Sequence, residues 1–131
     1  MAAVLLVEDD PDTLDAVSRY LQRGGHVVRR AMSGRDALAA LLNKTPDIVV
    51  LDVRLPEMDG VTFLDIIRSY LRWNRLPVIL LTAYHTGSHM DRAQELGVKR
   101  IFLKANYELS DLLAAVNEHT RPDRSGLNYA S

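Results

Sequence analysis

The sequence predicts an α/β domain: a doubly wound, five-stranded parallel sheet of (βα)5 form with strand order 2-1-3-4-5. Three observations carry that prediction. Apolar runs alternate five times with amphipathic runs along 131 residues, and such alternation builds a parallel sheet covered by helices on both faces. The apolar runs are short and continuous, as strands buried on both faces require. Polar residues gather just past several of those runs, where an open parallel sheet binds its ligands.

Each element has a local reason. Ala3-Val4-Leu5-Leu6-Val7 forms the first strand. Pro11 suits the first position of a helix, with Asp10 before it as N-cap. Leu14, Val17 and Leu21 follow at helical spacing, and Gly24-Gly25 stop the helix. His26 to Ala31 is the second strand. Ser33-Gly34 opens a helix carrying Ala37, Leu38, Leu41 and Leu42, and Thr45-Pro46 ends it. Ile48 to Leu51 is the third strand and runs straight into Asp52. Asp59-Gly60 combine a turn with the start of a helix carrying Val61, Phe63, Leu64, Ile67 and Leu71. Leu76-Pro77 introduces the fourth strand, Val78 to Leu81. A polar helix runs from about Gly87 to Leu96 and stops at Gly97. Arg100 to Leu103 is the fifth strand, and the last helix carries Leu109, Leu112, Leu113 and Val116. With its order 2-1-3-4-5 the sheet is flavodoxin-like. The expected domain covers residues 1–120, with 121–131 as a tail or the start of a linker.

Composition removes several functional classes. Sixteen basic and 17 acidic residues give a formal net charge of -1, so neither nucleic acid nor a membrane surface is an expected partner. With no cysteine, there is no disulfide framework and no thiolate metal site. Apolar runs are too short to span a bilayer. Met1 to Val7 lack a basic stretch and lead into acids, so no secretory leader is expected. A cytoplasmic protein fits these features.

The chemistry lies at the strand ends. Glu8, Asp9 and Asp10 follow the first strand, Asp52 the third, Thr82 the fourth and Lys104 the fifth. A parallel sheet brings all of them to one edge. Clustered carboxylates repel one another unless a cation neutralises them. Without cysteine and without a well-placed histidine, that cation is a hard, oxygen-seeking one, and Mg²⁺ fits. An ionised Asp52 beside it is a nucleophile toward phosphorus. Lys104 adds positive charge, and Thr82 offers a hydroxyl donor to a phosphoryl oxygen.

The segments VLLVEDDP (4–11), VVLDVRLPEMDG (49–60), PVILLTAY (77–84), ELG (95–97) and FLKA (102–105) together resemble the receiver (REC) domain of bacterial two-component response regulators. The likeness covers about residues 3–119. It implies Asp52 as phosphoacceptor, Thr82 as switch hydroxyl and Lys104 as the phosphoryl-contacting lysine. It implies Mg²⁺ held by Glu8, Asp9 and Asp52 and by the backbone carbonyl of Arg54, with Asp9 the more direct ligand of the acidic pair. The implied donor is a phosphohistidine on a sensor histidine kinase or a phosphotransfer protein. The module would catalyse only its own phosphorylation and dephosphorylation and would not otherwise be an enzyme. The readout would run through the fourth helix, fifth strand and fifth helix to an effector domain, a downstream protein or a homodimer partner. The interval from Thr82 to Gly97 has the family's usual length, so Gly87-Ser88-His89-Met90 belong to the protein. Two positions depart from the pattern. Ile101 stands where an aromatic is common, with Phe102 one residue later. Ala105 replaces a common proline, and a non-proline cis bond there would cost ~3 kcal/mol.

Other residues have plainer readings. Asp10 reads as a helix cap, and Asp59-Gly60 as turn chemistry plus a helix start rather than a ligand. His26, His85, His89 and His119 are scattered and read as surface residues. Trp73 reads as partial packing. Tyr84 and Arg54 flank the site and are candidates to tune access of hydrolytic water. Two alternative functions compete with the switch. One is a degenerate receiver that binds a partner without phosphate. The other is a Mg²⁺-dependent phosphohydrolase with a strand-end aspartate, whose D-x-D pattern fails here at Asp52-Val53-Arg54.

Overall fold

The computed structural model describes residues 1–83 and 88–121. Five parallel strands alternate with five helices in the order β1 (Ala3–Val7), α1 (Pro11–Arg23), β2 (Val27–Ala31), α2 (Gly34–Asn43), β3 (Ile48–Asp52), α3 (Gly60–Arg68), β4 (Val78–Thr82), α4 (Ser88–Glu95), β5 (Arg100–Leu103) and α5 (Leu109–His119). The sheet order is β2-β1-β3-β4-β5, as expected. The three inner strands are apolar because helices cover both of their faces. β3 and β4 are buried at every residue.

Side chains alternate across the sheet with period two, so each inner strand feeds two cores. Leu5, Val7, Val49, Leu51, Val78 and Leu80 face the layer that also holds Leu41, Phe63, Ile67, Met90 and Ala93 of α2, α3 and α4. Val4, Leu6, Ile48, Val50, Ile79 and Leu81 face Leu14, Val17, Leu21, Leu112 and Val116 of α1 and α5. The same alternation continues beyond the strands and decides which side of the sheet each polar side chain takes.

Capping follows the sequence closely. Asp10 accepts the Thr13 N–H, Ser33 the Asp36 N–H and Asp59 the Thr62 N–H at 2.8 Å. Asp59→Ala removes one such bond from the first turn of α3. It should lower unfolding free energy by about 1 kcal/mol, read as a shift in urea midpoint at unchanged slope.

Several expectations need correction. His26 is buried, not on the surface. Its Nδ1 accepts the Ala2 N–H at 3.0 Å, so Nε2 carries the proton and donates to Asn117 Oδ1 at 2.7 Å. α3 ends at Arg68, which leaves Leu71 in the following turns and 91% exposed. Leu42 points outward from α2. Trp73 is fully buried rather than partly packed, with its indole N–H on Thr45 Oγ1. Asp52 and Thr82 are the last residues of their strands rather than the first beyond them.

α4 is fastened to α3 through two arginines. Arg68 donates to the backbone carbonyls of Leu96, Trp73 and Leu76. Arg92 grips the Asp65 carboxylate with two nitrogens, at 2.8 and 3.3 Å.

Candidate functional site

The carboxyl ends of β1, β3, β4 and β5 meet at one edge of the sheet. Parallel pairing sets Val7 beside Leu51, Asp52 beside Leu81 and Thr82 beside Leu103. Glu8, Asp52 and Lys104 lie in phase with Leu6, Val50 and Phe102, on the α1/α5 side. Thr82 lies in phase with Val78 and Leu80, toward the layer that holds α4. One carboxyl cluster and one hydroxyl thus approach the edge from opposite faces.

The cluster is closely bonded. Lys104 Nζ donates to Asp52 Oδ2 at 2.9 Å and to Glu8 Oε1 at 3.1 Å. Asp52 Oδ1 accepts the Arg54 N–H at 3.1 Å, and Glu8 Oε2 accepts the Asp10 N–H at 3.1 Å. Both carboxyl side chains are 1% exposed, against 29% for Lys104. The Lys104 backbone is fixed as well, since its N–H reaches the Thr82 carbonyl at 2.7 Å. Glu8, exposed Asp9 and Asp52 each bring a carboxylate oxygen within 4.8 Å of the others.

Two buried carboxyls sharing one ammonium leave charge uncompensated. Burial, reinforced by a hydrogen bond and charge from Asp52, pushes Glu8 up to about 7. Burial by itself would lower the Lys104 ammonium. Its bonds to Asp52 and Glu8 outweigh that, and its pKa is raised. The Asp10 carboxyl serves the helix instead: hydrogen bonds from the Thr13 hydroxyl and N–H hold it low, as a cap.

This geometry fits a hard divalent cation. Three carboxylate donors converge, no soft ligand is among them, and the raised pKa of Glu8, from burial and the neighbouring Asp52, reflects crowding that a cation would relieve. Glu8, Asp9 and Asp52 are the residues that would hold it.

The chain matches the family model "Response regulator receiver domain" over residues 4–117. The chain belongs to this family. Curated relatives include the transcriptional regulatory proteins AfsQ1 of Streptomyces coelicolor and KdpE of Mycobacterium tuberculosis. AfsQ1 is 45% identical over 63% of this chain and 36% of its own length. KdpE is 34% identical over 92% of this chain and 53% of its own. This chain therefore spans about a third to a half of the length of these regulators. Among solved structures, the chemotaxis response regulator CheY4 of Vibrio cholerae superposes with TM-score 0.82 at 28% identity, over 91% of this chain and 98% of that one. The non-phosphorylated HemR receiver domain of Leptospira biflexa gives TM-score 0.82 at 27% identity, over 94% and 99%.

Glu8, Asp9, Asp52 and Lys104, singled out in the sequence of this receiver domain, come together, with Thr82 at the adjoining strand end. Tyr84 and His85 lie outside the described residues. Ile101 packs against the α4-side core, and Phe102 turns to the opposite side. The position that commonly holds an aromatic is thus aliphatic in space as well as in sequence. One neighbour escaped the sequence reading. Tyr107, half-buried, packs against Phe102 in a tilted arrangement with ring centroids 5.6 Å apart. Burial raises its phenol, which also feels the charges of Lys104, Glu8 and Asp52. The available signal was its spacing three residues past the lysine.

Proposed function

We propose that this receiver domain takes a phosphoryl group from a phosphohistidine of a sensor kinase or phosphotransfer protein onto Asp52, with Mg²⁺, and so switches conformation. The observation that carries this reading is the Lys104 ammonium lying between Asp52 and Glu8 at a buried strand end. In the transfer, an Asp52 carboxylate oxygen forms a bond to phosphorus while the donor's N–P bond breaks. Lys104 neutralises charge on the arriving oxygens, and the Thr82 hydroxyl donates to one of them from the other face of the sheet. Bound Mg²⁺ would supply further charge neutralisation and orient the phosphoryl oxygens. No other reaction is assigned to the domain, which modifies only itself.

The output passes to an effector domain or a partner protein, with residues 1–120 as the switch and the remainder as tail or linker. Because Ile101 replaces the common aromatic, aliphatic packing under α4 transmits the change in place of a rotating ring. Among the described residues no helix is long and apolar enough to cross a membrane, which agrees with a cytoplasmic site of action. Incubation with acetyl phosphate and Mg²⁺, followed by mass spectrometry, tests the reading. One phosphoryl group on Asp52 supports it. None at all favours a module that binds a partner without phosphate.

The pH dependence of Mg²⁺ binding follows from Glu8. Its proton, held up to about pH 7, must leave before the cluster can accept a cation. Apparent affinity should be flat above pH 7 and fall by up to ~tenfold per pH unit below it. Calorimetric titration reads this directly, and Glu8→Gln should flatten the profile.

A further inference from the structure

On its strand side Lys104 is held by its N–H on the Thr82 carbonyl, but the turn that follows it has little to hold it. Ala105, Asn106 and Glu108 are exposed. Glu108 occupies the N-cap of α5 but makes no side-chain capping bond. The Asn106 N–H reaches the Leu103 carbonyl at 2.9 Å. Among residues 105–108 Tyr107 alone has a side chain sunk into the body of the domain. Its ring packs on Phe102 within the α1/α5 core, and Arg100 covers that Phe102 ring at 4.7 Å from its centroid. Phe102 and Lys104 are two apart along the β5 path, so the ring pair and the lysine lie on the same face of the sheet. Lys104 itself is 29% exposed and carries a long flexible chain. Such a chain keeps an ammonium between two carboxylates only if its backbone is fixed.

We propose that Tyr107 is a positioning residue for the phosphoryl chemistry: packed against Phe102, it pins the 104–108 turn and so keeps Lys104 between Glu8 and Asp52. This rests on the reading of Asp52 as phosphoacceptor. The ring, not the hydroxyl, does the positioning, since its packing against Phe102 is what anchors the turn.

The test uses the full chain with Tyr107→Phe and Tyr107→Ala, and two readouts. The first is the rate of Asp52 phosphorylation by acetyl phosphate with Mg²⁺, measured well below the melting transition. The second is pulsed acylation of Lys104 by acetic anhydride in the metal-free protein, followed by peptide mass spectrometry. Tyr107→Ala should phosphorylate on the order of tenfold more slowly and expose Lys104 to severalfold faster acylation. Tyr107→Phe should restore both to near wild type. Wild-type rates for Tyr107→Ala in both assays would overturn the proposal. So would a Phe variant as impaired as the Ala variant, because the hydroxyl would then be the working group. Should the Ala variant fail to fold, Tyr107→Leu keeps apolar bulk without the ring and carries the same expectations. If wild type itself takes no phosphoryl group, the Asp52 reading fails, and the acylation assay still decides where Tyr107 holds Lys104.

Discussion

Asp52→Asn should take up no phosphoryl group from acetyl phosphate in the presence of Mg²⁺, under conditions in which the wild-type chain is expected to be labelled. The amide would lack the anionic oxygen proposed to attack phosphorus, and it removes one of the three carboxylates that could hold a cation. The same substitution should not weaken the metal-free fold at pH 8. Asp52 and Glu8 are both buried against one shared ammonium, so wild type bears repulsion that the amide relieves. The sign follows from Glu8. Its pKa rises on folding, from 4.5 to about 7. The associated stability is fully present below about pH 4.5 and is lost as pH climbs through about 7. Asp52→Asn should flatten that decline. Thermal melts of both proteins at pH 5 and pH 8, without metal, check it. A variant that melts far below wild type at pH 8 would contradict the repulsion argument.

Gly60→Ala should be the most damaging small substitution near the site, lowering unfolding free energy by about 3 kcal/mol and the melting temperature by roughly 10 °C. Gly60 opens α3 and donates its N–H to the Val53 carbonyl at 2.7 Å. A Cβ there would lie 2.4 Å from the Asp52 carbonyl oxygen and 2.9 Å from Val53 Cα. Both obstacles are backbone, so no side-chain rotation makes room. The intervening loop is already tight. The Met58 N–H bonds to the Pro56 carbonyl at 2.7 Å across Glu57, whose φ is +69°, a conformation that side chains resist. The strain would therefore pass to Asp52, and phosphorylation should slow as stability drops. Gly34→Ala is the control. Its Cβ would meet the Met58 sulfur at 3.1 Å, and a flexible thioether can turn aside, so little change is expected. Equal losses for the two variants would refute the backbone argument.

Much of this was legible in the sequence because its signals are local. Asp10, Ser33 and Asp59 announce helix starts by their own hydrogen bonding. Glu8, Asp9, Asp52, Thr82 and Lys104 announce an edge site through one topological rule. What stayed hidden depends on contacts between distant segments. His26 looks polar and exposed until Asn117, at the far end of the chain, closes over it. Leu71 continues the apolar spacing of α3, yet the helix stops at Arg68, whose guanidinium is engaged by three carbonyls. Tyr107 carries no motif. Its place beside Lys104 emerges only when strand alternation turns Phe102 toward α1 and α5.

The two arginine fastenings between α3 and α4 bear on how a signal would leave the domain. Leu96, on which Arg68 is anchored, lies just past the last turn of α4, and Arg92 sits one turn earlier. Thr82 lies toward the opposite, leading end of that helix. A displacement reaching α4 from the strand tips would therefore meet a helix secured near its tail, and such bonds would favour a swing about that end over a slide.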